Sequence, residues 1–131
     1  KWMRDVDDAQ LDDGGVPAIV PKLFEDHDGG PGWSDARVVI PLAMYRAYGD
    51  RRMLERHYPS MRRWMQHHID SSRDGTRCMP DMPGWHGFGD WLALDGDGIK
   101  PLQNATPREL TATAYFAYAL ASMAEIAGVL G

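Results

Sequence analysis

Two stretches of the 131-residue chain set tryptophan beside aspartate in a run of glycines: Gly29-Gly30-Pro31-Gly32-Trp33-Ser34-Asp35-Ala36 and Pro83-Gly84-Trp85-His86-Gly87-Phe88-Gly89-Asp90-Trp91-Leu92. Glycine lets the backbone turn sharply or approach a ligand closely. Tryptophan offers a flat apolar face with one donor, and aspartate accepts several hydrogen bonds from hydroxyls. That combination suits a sugar ring, which has an apolar C–H face and a rim of hydroxyls. Trp33, Asp35, Asp90 and Trp91 are therefore the candidate sugar-binding residues. Each also has a plainer role open to it. Asp35 could serve only as a helix N-cap, worth about 1 kcal/mol. The tryptophans could be core residues, and Asp90 could satisfy loop amides. Duplication of the arrangement favours a site.

Other chemistry-bearing residues make weaker sets. Asp95-Gly96-Asp97-Gly98 is similar to the start of a calcium loop, but its twelfth position is Thr106 instead of a bidentate glutamate. His67 and His68 are adjacent on a charged helix and face different ways. His27 and His86 have too few partners for zinc. No metal and no cofactor is expected. Trp64 and the nearby methionines read as packing, and Asp7 and Asp8 as a solvated face.

Four helical segments must position these loops. Trp2 to about Leu11 ends at the Asp12-Asp13-Gly14-Gly15 breaker. Ser34-Asp35 can cap a second helix to about Tyr48, with Gly49 as its left-handed terminator. Asp50 caps a third, to about Ser72, with Leu54, Tyr58, Met61, Met65 and His68 at helical spacing. Thr106-Pro107-Arg108-Glu109 opens the fourth as cap, first-turn proline and capping-box glutamate. Pro41 and Pro59 predict a kink or break in the second and third helices. Only Val16 to Val20 reads as a possible strand, so the class is all-α.

Charge falls on alternate helices. The first and third segments are charged, whereas the second has no charge in its middle and the fourth none between Glu109 and Glu125. A helix apolar all round is buried on all sides, so the order is exposed, buried, exposed, buried. A small up-and-down bundle would make all four similarly amphipathic. An arc cut from a double ring of alternating outer and inner helices accounts for the pattern better. The short connection is Gly49-Asp50, and the two long crossovers, Asp12 to about Trp33 and about Arg73 to Ala105, lie at one end. Long loops in compact domains are usually functional.

Composition narrows the classes. With 14 basic and 19 acidic residues the formal net charge is -5, against non-specific nucleic-acid binding. Fifteen of the acidic residues are aspartate. The single cysteine, Cys78, excludes an internal disulfide framework. The uncharged stretch Leu110 to Ala124 is short of the ~20 residues a bilayer span needs, so no membrane partner is expected. No leader is legible, and a chain starting at Lys1 reads as a piece of something longer. The compartment, cytoplasmic or secreted, is left open.

Six motifs in order carry a family resemblance: Lys1-Trp2-Met3-Arg4-Asp5-Val6 through Asp8-Ala9-Gln10; Asp13-Gly14-Gly15-Val16-Pro17 with Val20-Pro21; Pro31-Gly32-Trp33-Ser34-Asp35-Ala36; Tyr48-Gly49-Asp50; Gly87-Phe88-Gly89-Asp90-Trp91-Leu92; and Thr106-Pro107 with Thr113-Ala114-Tyr115-Phe116. Together they resemble bacterial α-L-rhamnosidases along essentially the whole chain. The resemblance implies a partial (α/α)6 six-hairpin catalytic domain over residues 1–131, continuing at both ends in a parent chain. It also implies hydrolysis of terminal α-L-rhamnosyl residues from glycosides with inversion. In that family both the general acid and the general base are glutamates, which would fall before Lys1 and after Gly131. No catalytic residue is therefore expected within this segment, which alone should be inactive. Glu55 and Glu125 sit on helices, Glu109 reads as a capping residue, and only Glu25 lies in a rim loop. The resemblance gives Asp35 and Asp90 the role of hydroxyl acceptors, and Trp33 and Trp91 that of shaping the pocket. The expected partners are a rhamnosyl glycoside, and the rest of the parent barrel or an oligomeric partner over the apolar helices. Two alternatives stand beside this: another (α/α)6 glycosidase or lyase, and a non-catalytic carbohydrate- or protein-binding helical module.

Overall fold

In the computed structural model, residues 1–23, 27–79, 81–82, 87–91, 93 and 105–131 are described. Glu25, Trp85, His86, Leu92 and the Asp95-Gly96-Asp97-Gly98 stretch lie outside the described residues. Four helices form the frame: α1 (Trp2–Asp8), α2 (Ala36–Tyr48), α3 (Arg51–Asp70) and α4 (Arg108–Leu130). A two-stranded hairpin, β1 (Ser72–Arg73) and β2 (Thr76–Arg77), stands between α3 and α4.

The α2–α3 junction has the expected chemistry. Gly49 takes the left-handed conformation (φ 68°) and its N–H donates to Tyr45 O at 2.7 Å. Asp50 then caps α3, its carboxylate accepting from the Arg52 N–H. Other ends differ from expectation. α1 stops at Asp8 rather than near Leu11, because Leu11 N–H donates to Gly15 O and closes the breaker into a turn. α2 and α3 each continue through Pro41 and Pro59 without a break. At α4, Pro107 occupies the cap position with no side-chain cap hydrogen bond, so Thr106 and Glu109 form no capping box. The Thr106 N–H instead donates to Asp90.

The hairpin is an element the sequence reading lacked. Asp74 and Gly75 sit at φ 52° and 76°, as a two-residue type I′ turn requires. The Val16 to Val20 stretch makes one isolated antiparallel bridge, Pro17 to Asp28.

The core lies where α2, α3 and α4 meet, with Val38, Leu42, Leu54, Met61, Trp64, Ala119 and Ile126 almost wholly buried. Full burial of such a chain contributes about 1.5–3 kcal/mol. α3 carries an apolar stripe inward and Arg51, Arg52, Glu55 and Arg56 outward. α2 and α4 are apolar all round, yet within these residues each is covered on one side. Leu110, Tyr115, Tyr118 and Leu120 of α4 remain exposed. At 23 residues α4 runs beyond the uncharged stretch counted above, and by length and composition alone it is apolar enough to cross a membrane.

Candidate functional site: an aromatic wall between two crossovers

The turn that carries Trp33 is built from glycine and held from below. Gly32 adopts φ +84°, and a Cβ there would come within 2.9 Å of the Tyr115 ring, so only glycine lets the turn rest on α4. Ser34 Oγ donates to Val16 O at 2.6 Å and accepts from the Gly29 N–H at 2.9 Å, stitching the two ends of the first crossover together. The Trp33 indole N–H donates to Ala18 O at 2.8 Å. Its ring is thereby fixed while 48% of the residue stays exposed.

The second crossover meets the first here. Gly87 packs against Gly30 and Pro31 so closely that a Cβ would lie 3.3 Å from Gly30 Cα. Phe88 stands 4.9 Å from Trp33, centroid to centroid, and 5.5 Å from Trp91. Trp33 and Trp91 are 6.5 Å apart in an edge-on arrangement. These are favourable aromatic geometries, and with Trp91 41% exposed the trio presents an open aromatic surface. Phe88 is a wall residue that its sequence context, Gly87-Phe88-Gly89, does not mark out from a packing phenylalanine.

Asp90 joins this wall to α4. Its Oδ2 accepts the Thr106 N–H at 2.8 Å, while Oδ1 is buried with no hydrogen-bond partner among the described residues. Burial raises the Asp90 carboxyl, but hydrogen bonding from Thr106 outweighs it and holds the group below the usual carboxylate range.

Asp35 sits underneath the wall, 1% exposed. It stands at the start of α2 but makes no side-chain cap hydrogen bond to the helix. Oδ2 accepts the Gly32 N–H, and Oδ1 accepts from Trp64 Nε1 and His68 Nε2, all at 2.8 Å. Trp64, which reads as packing in the sequence, is thus also a donor. His68 lies against Phe116 (5.0 Å, near parallel) and edge-on to Trp64.

Two further aspartate–histidine pairs hold the first crossover and α1 to α3. His67 Nε2 lies 2.9 Å from Asp28 Oδ2, and its Nδ1 faces Asp13 Oδ2 at 3.5 Å. Asp7 pairs with the fully buried Arg37 side chain and with His57 Nδ1 at 2.7 Å, so Asp7 is not part of a solvated face. Arg37 also donates to Met3 O and His57 O. Burial brings the Arg37 guanidinium down to about 10, against the opposing charge of Asp7. Among the described residues no group of histidine, cysteine, aspartate and glutamate is arranged to hold a metal.

Two of the three glutamates within the described residues have other work. Glu55 pairs with Arg51 and Glu125 with Arg46, both on the exposed surface.

The mainly helical arc has counterparts among known proteins. The chain belongs to the family of the bacterial alpha-L-rhamnosidase six-hairpin glycosidase domain, whose model matches residues 1–131. The alpha-L-rhamnosidase of Streptomyces avermitilis is 36% identical over 131 residues, which are 100% of this chain and 11% of that protein. That of Formosa agariphila is 33% identical over 130 residues, 99% of this chain and 13% of that protein. The crystal structure of the Streptomyces avermitilis alpha-L-rhamnosidase complexed with L-rhamnose matches at TM-score 0.82 and 35% identity, over 99% of this chain and 11% of that one. The chain therefore corresponds to a small internal segment of these relatives.

Proposed function

We propose that these residues form part of the catalytic domain of an inverting α-L-rhamnosidase, continuing at both ends in a parent chain, and supply part of the wall that holds the rhamnosyl ring. The observation that carries this reading is the convergence of Trp33 with Phe88 and Trp91 from two distant crossovers. The open indole faces suit the apolar C–H face of a deoxyhexose. Asp90, at the edge of this wall, is the hydroxyl acceptor in this reading, a charge-assisted contact worth about 1.5–3 kcal/mol. Asp35 works from behind, through the Gly32–Trp33 turn. Inversion needs a general acid on the leaving oxygen and a general base on water, ~6.5–9.5 Å apart. In this reading both come from parts of the parent outside this segment, and the surface ion pairs of Glu55 and Glu125 agree with that. The same parent covers the open faces of α2 and α4, which explains a helix as apolar as α4 without a membrane.

The test is hydrolysis by the full-length protein of nitrophenyl α-L-rhamnoside, beside the glucosyl and uronyl analogues, with proton NMR of the first-formed sugar. The expected result is selective rhamnoside cleavage that releases the β-anomer first. Cleavage of another glycoside, release of the α-anomer, or binding without cleavage would each refute the corresponding part of the proposal.

A further inference from the structure

We propose that His68, a wholly buried residue of α3, is a positioning residue for the sugar wall: through Asp35 it sets the orientation of the turn that presents Trp33. The inference rests on the function proposed above.

The chain of contacts is short. His68 Nε2 and Trp64 Nε1 converge on Asp35 Oδ1, and Asp35 Oδ2 receives the N–H of Gly32, the residue immediately before Trp33. A carboxylate that is 1% exposed is costly to bury unless donors satisfy it. Here three donors do so, and they join α3 to the turn. Removing one leaves Oδ1 under-satisfied, and the carboxylate can then rotate away from Gly32.

His68 is built for a single role. Its Nδ1 is buried with no hydrogen-bond partner among the described residues. A proton on Nδ1 would be an orphaned donor, so the neutral tautomer with its proton on Nε2 fits the surroundings. Burial also lowers the imidazole below its ordinary value, outweighing the pull of Asp35. The ring cannot turn freely, held between Phe116 and Trp64. A histidine kept neutral, immobile and aimed at one carboxylate oxygen does not transfer a proton during turnover. It holds a geometry.

The experiment compares His68→Leu, which removes the donor, with His68→Gln, whose amide can still donate, in the full-length protein. Each is also made on a Trp33→Ala background. With nitrophenyl α-L-rhamnoside, His68→Leu is expected to raise KM about tenfold with kcat changed less than threefold. His68→Gln should restore KM to within threefold, and on the Trp33→Ala background His68→Leu should add no further loss. Equal losses on both backgrounds, or no rescue by glutamine, would overturn the assignment. A second readout needs no substrate: with 5-fluorotryptophan incorporated, the Trp33 fluorine resonance should move in His68→Leu and return in His68→Gln. An unmoved resonance also overturns the inference. If the protein cleaves no rhamnoside, the proposed function fails on its own, and the fluorine shift still decides whether His68 sets Trp33.

Discussion

The indole of Trp33 faces that of Trp91 at 6.5 Å, with Phe88 wedged between them, although α2 and α3 intervene in the sequence. Their contact means that the two crossovers are one structure, so loss of either tryptophan should be felt by the other. Trp33→Ala and Trp91→Ala are each expected to lower kcat/KM on a rhamnoside at least tenfold in the full-length protein. The double variant should lose less than the product of the two. Strict multiplicativity would mean that the rings act independently.

Asp90 Oδ2 is taken by Thr106, and Oδ1 is buried with no hydrogen-bond partner among the described residues. Asp90→Asn keeps the size but removes the charge. It should weaken sugar binding about tenfold and leave thermal unfolding within a degree or two, as an equilibrium titration with L-rhamnose and a melting curve would register. A large drop in Tm with unchanged binding would make Asp90 a loop anchor only.

Asp7, Arg37 and His57 tie α1 to α2 and α3 around a guanidinium with no exposed side-chain surface. Asp7→Asn strands that buried charge, and breaking such a pair costs about 3 kcal/mol. Chemical denaturation should show a lower midpoint at unchanged slope. A midpoint equal to that of the unaltered protein would mean that the pair contributes nothing.

The His67 clasp makes a prediction about pH. Burial lowers His67 and raises Asp28, but their mutual hydrogen bond and attraction outweigh it, so His67 ends above its ordinary value and Asp28 below. The His67 contribution is complete below the unfolded value near 6.5 and is lost as pH rises through the higher folded value. The Asp28 contribution is present above 3.8 and is lost as pH falls through its lower folded value. The Tm gap between the protein and His67→Gln should therefore be widest near pH 5.5 and narrow toward pH 8. His57 and His68, lowered by burial, work in the opposite sense, losing stability as pH falls through their folded values. A gap that widens with rising pH would show that His67 is not held as a cation.

Gly14 (φ +93°) presses its backbone on α3: a Cβ would stand 2.5 Å from Arg63 O. Gly14→Ala combines that clash with a left-handed strain and should cost about 2 kcal/mol. A hydrogen-exchange map would place the loosening at residues 10–16 and the middle of α3. Undiminished protection there would contradict the close approach.

The helices were legible because their signals are local: Gly49 as terminator, Asp50 as cap and the spacing of Leu54, Met61 and Met65. The aromatic wall was legible in outline because Trp33 and Trp91 stand in matching glycine-rich contexts. What was hidden depends on distance in sequence. Asp7 looks solvated until α2 brings Arg37 beside it. Asp35 sits where a cap belongs, and nothing nearby reveals that Trp64 and His68 claim its carboxylate instead. The hairpin had its Asp74-Gly75 signal, but strands of two residues are too short to show alternation. Composition reads α2 and α4 as buried, and burial on all sides needs neighbours that the described residues do not supply.

The most direct test of the account is calorimetric titration of the full-length protein with L-rhamnose, beside its Trp33→Ala and Asp90→Asn variants. A shared sugar wall predicts a measurable Kd for the unaltered protein that weakens at least tenfold in each variant while the fold persists. An L-rhamnose affinity unchanged by both substitutions would contradict it.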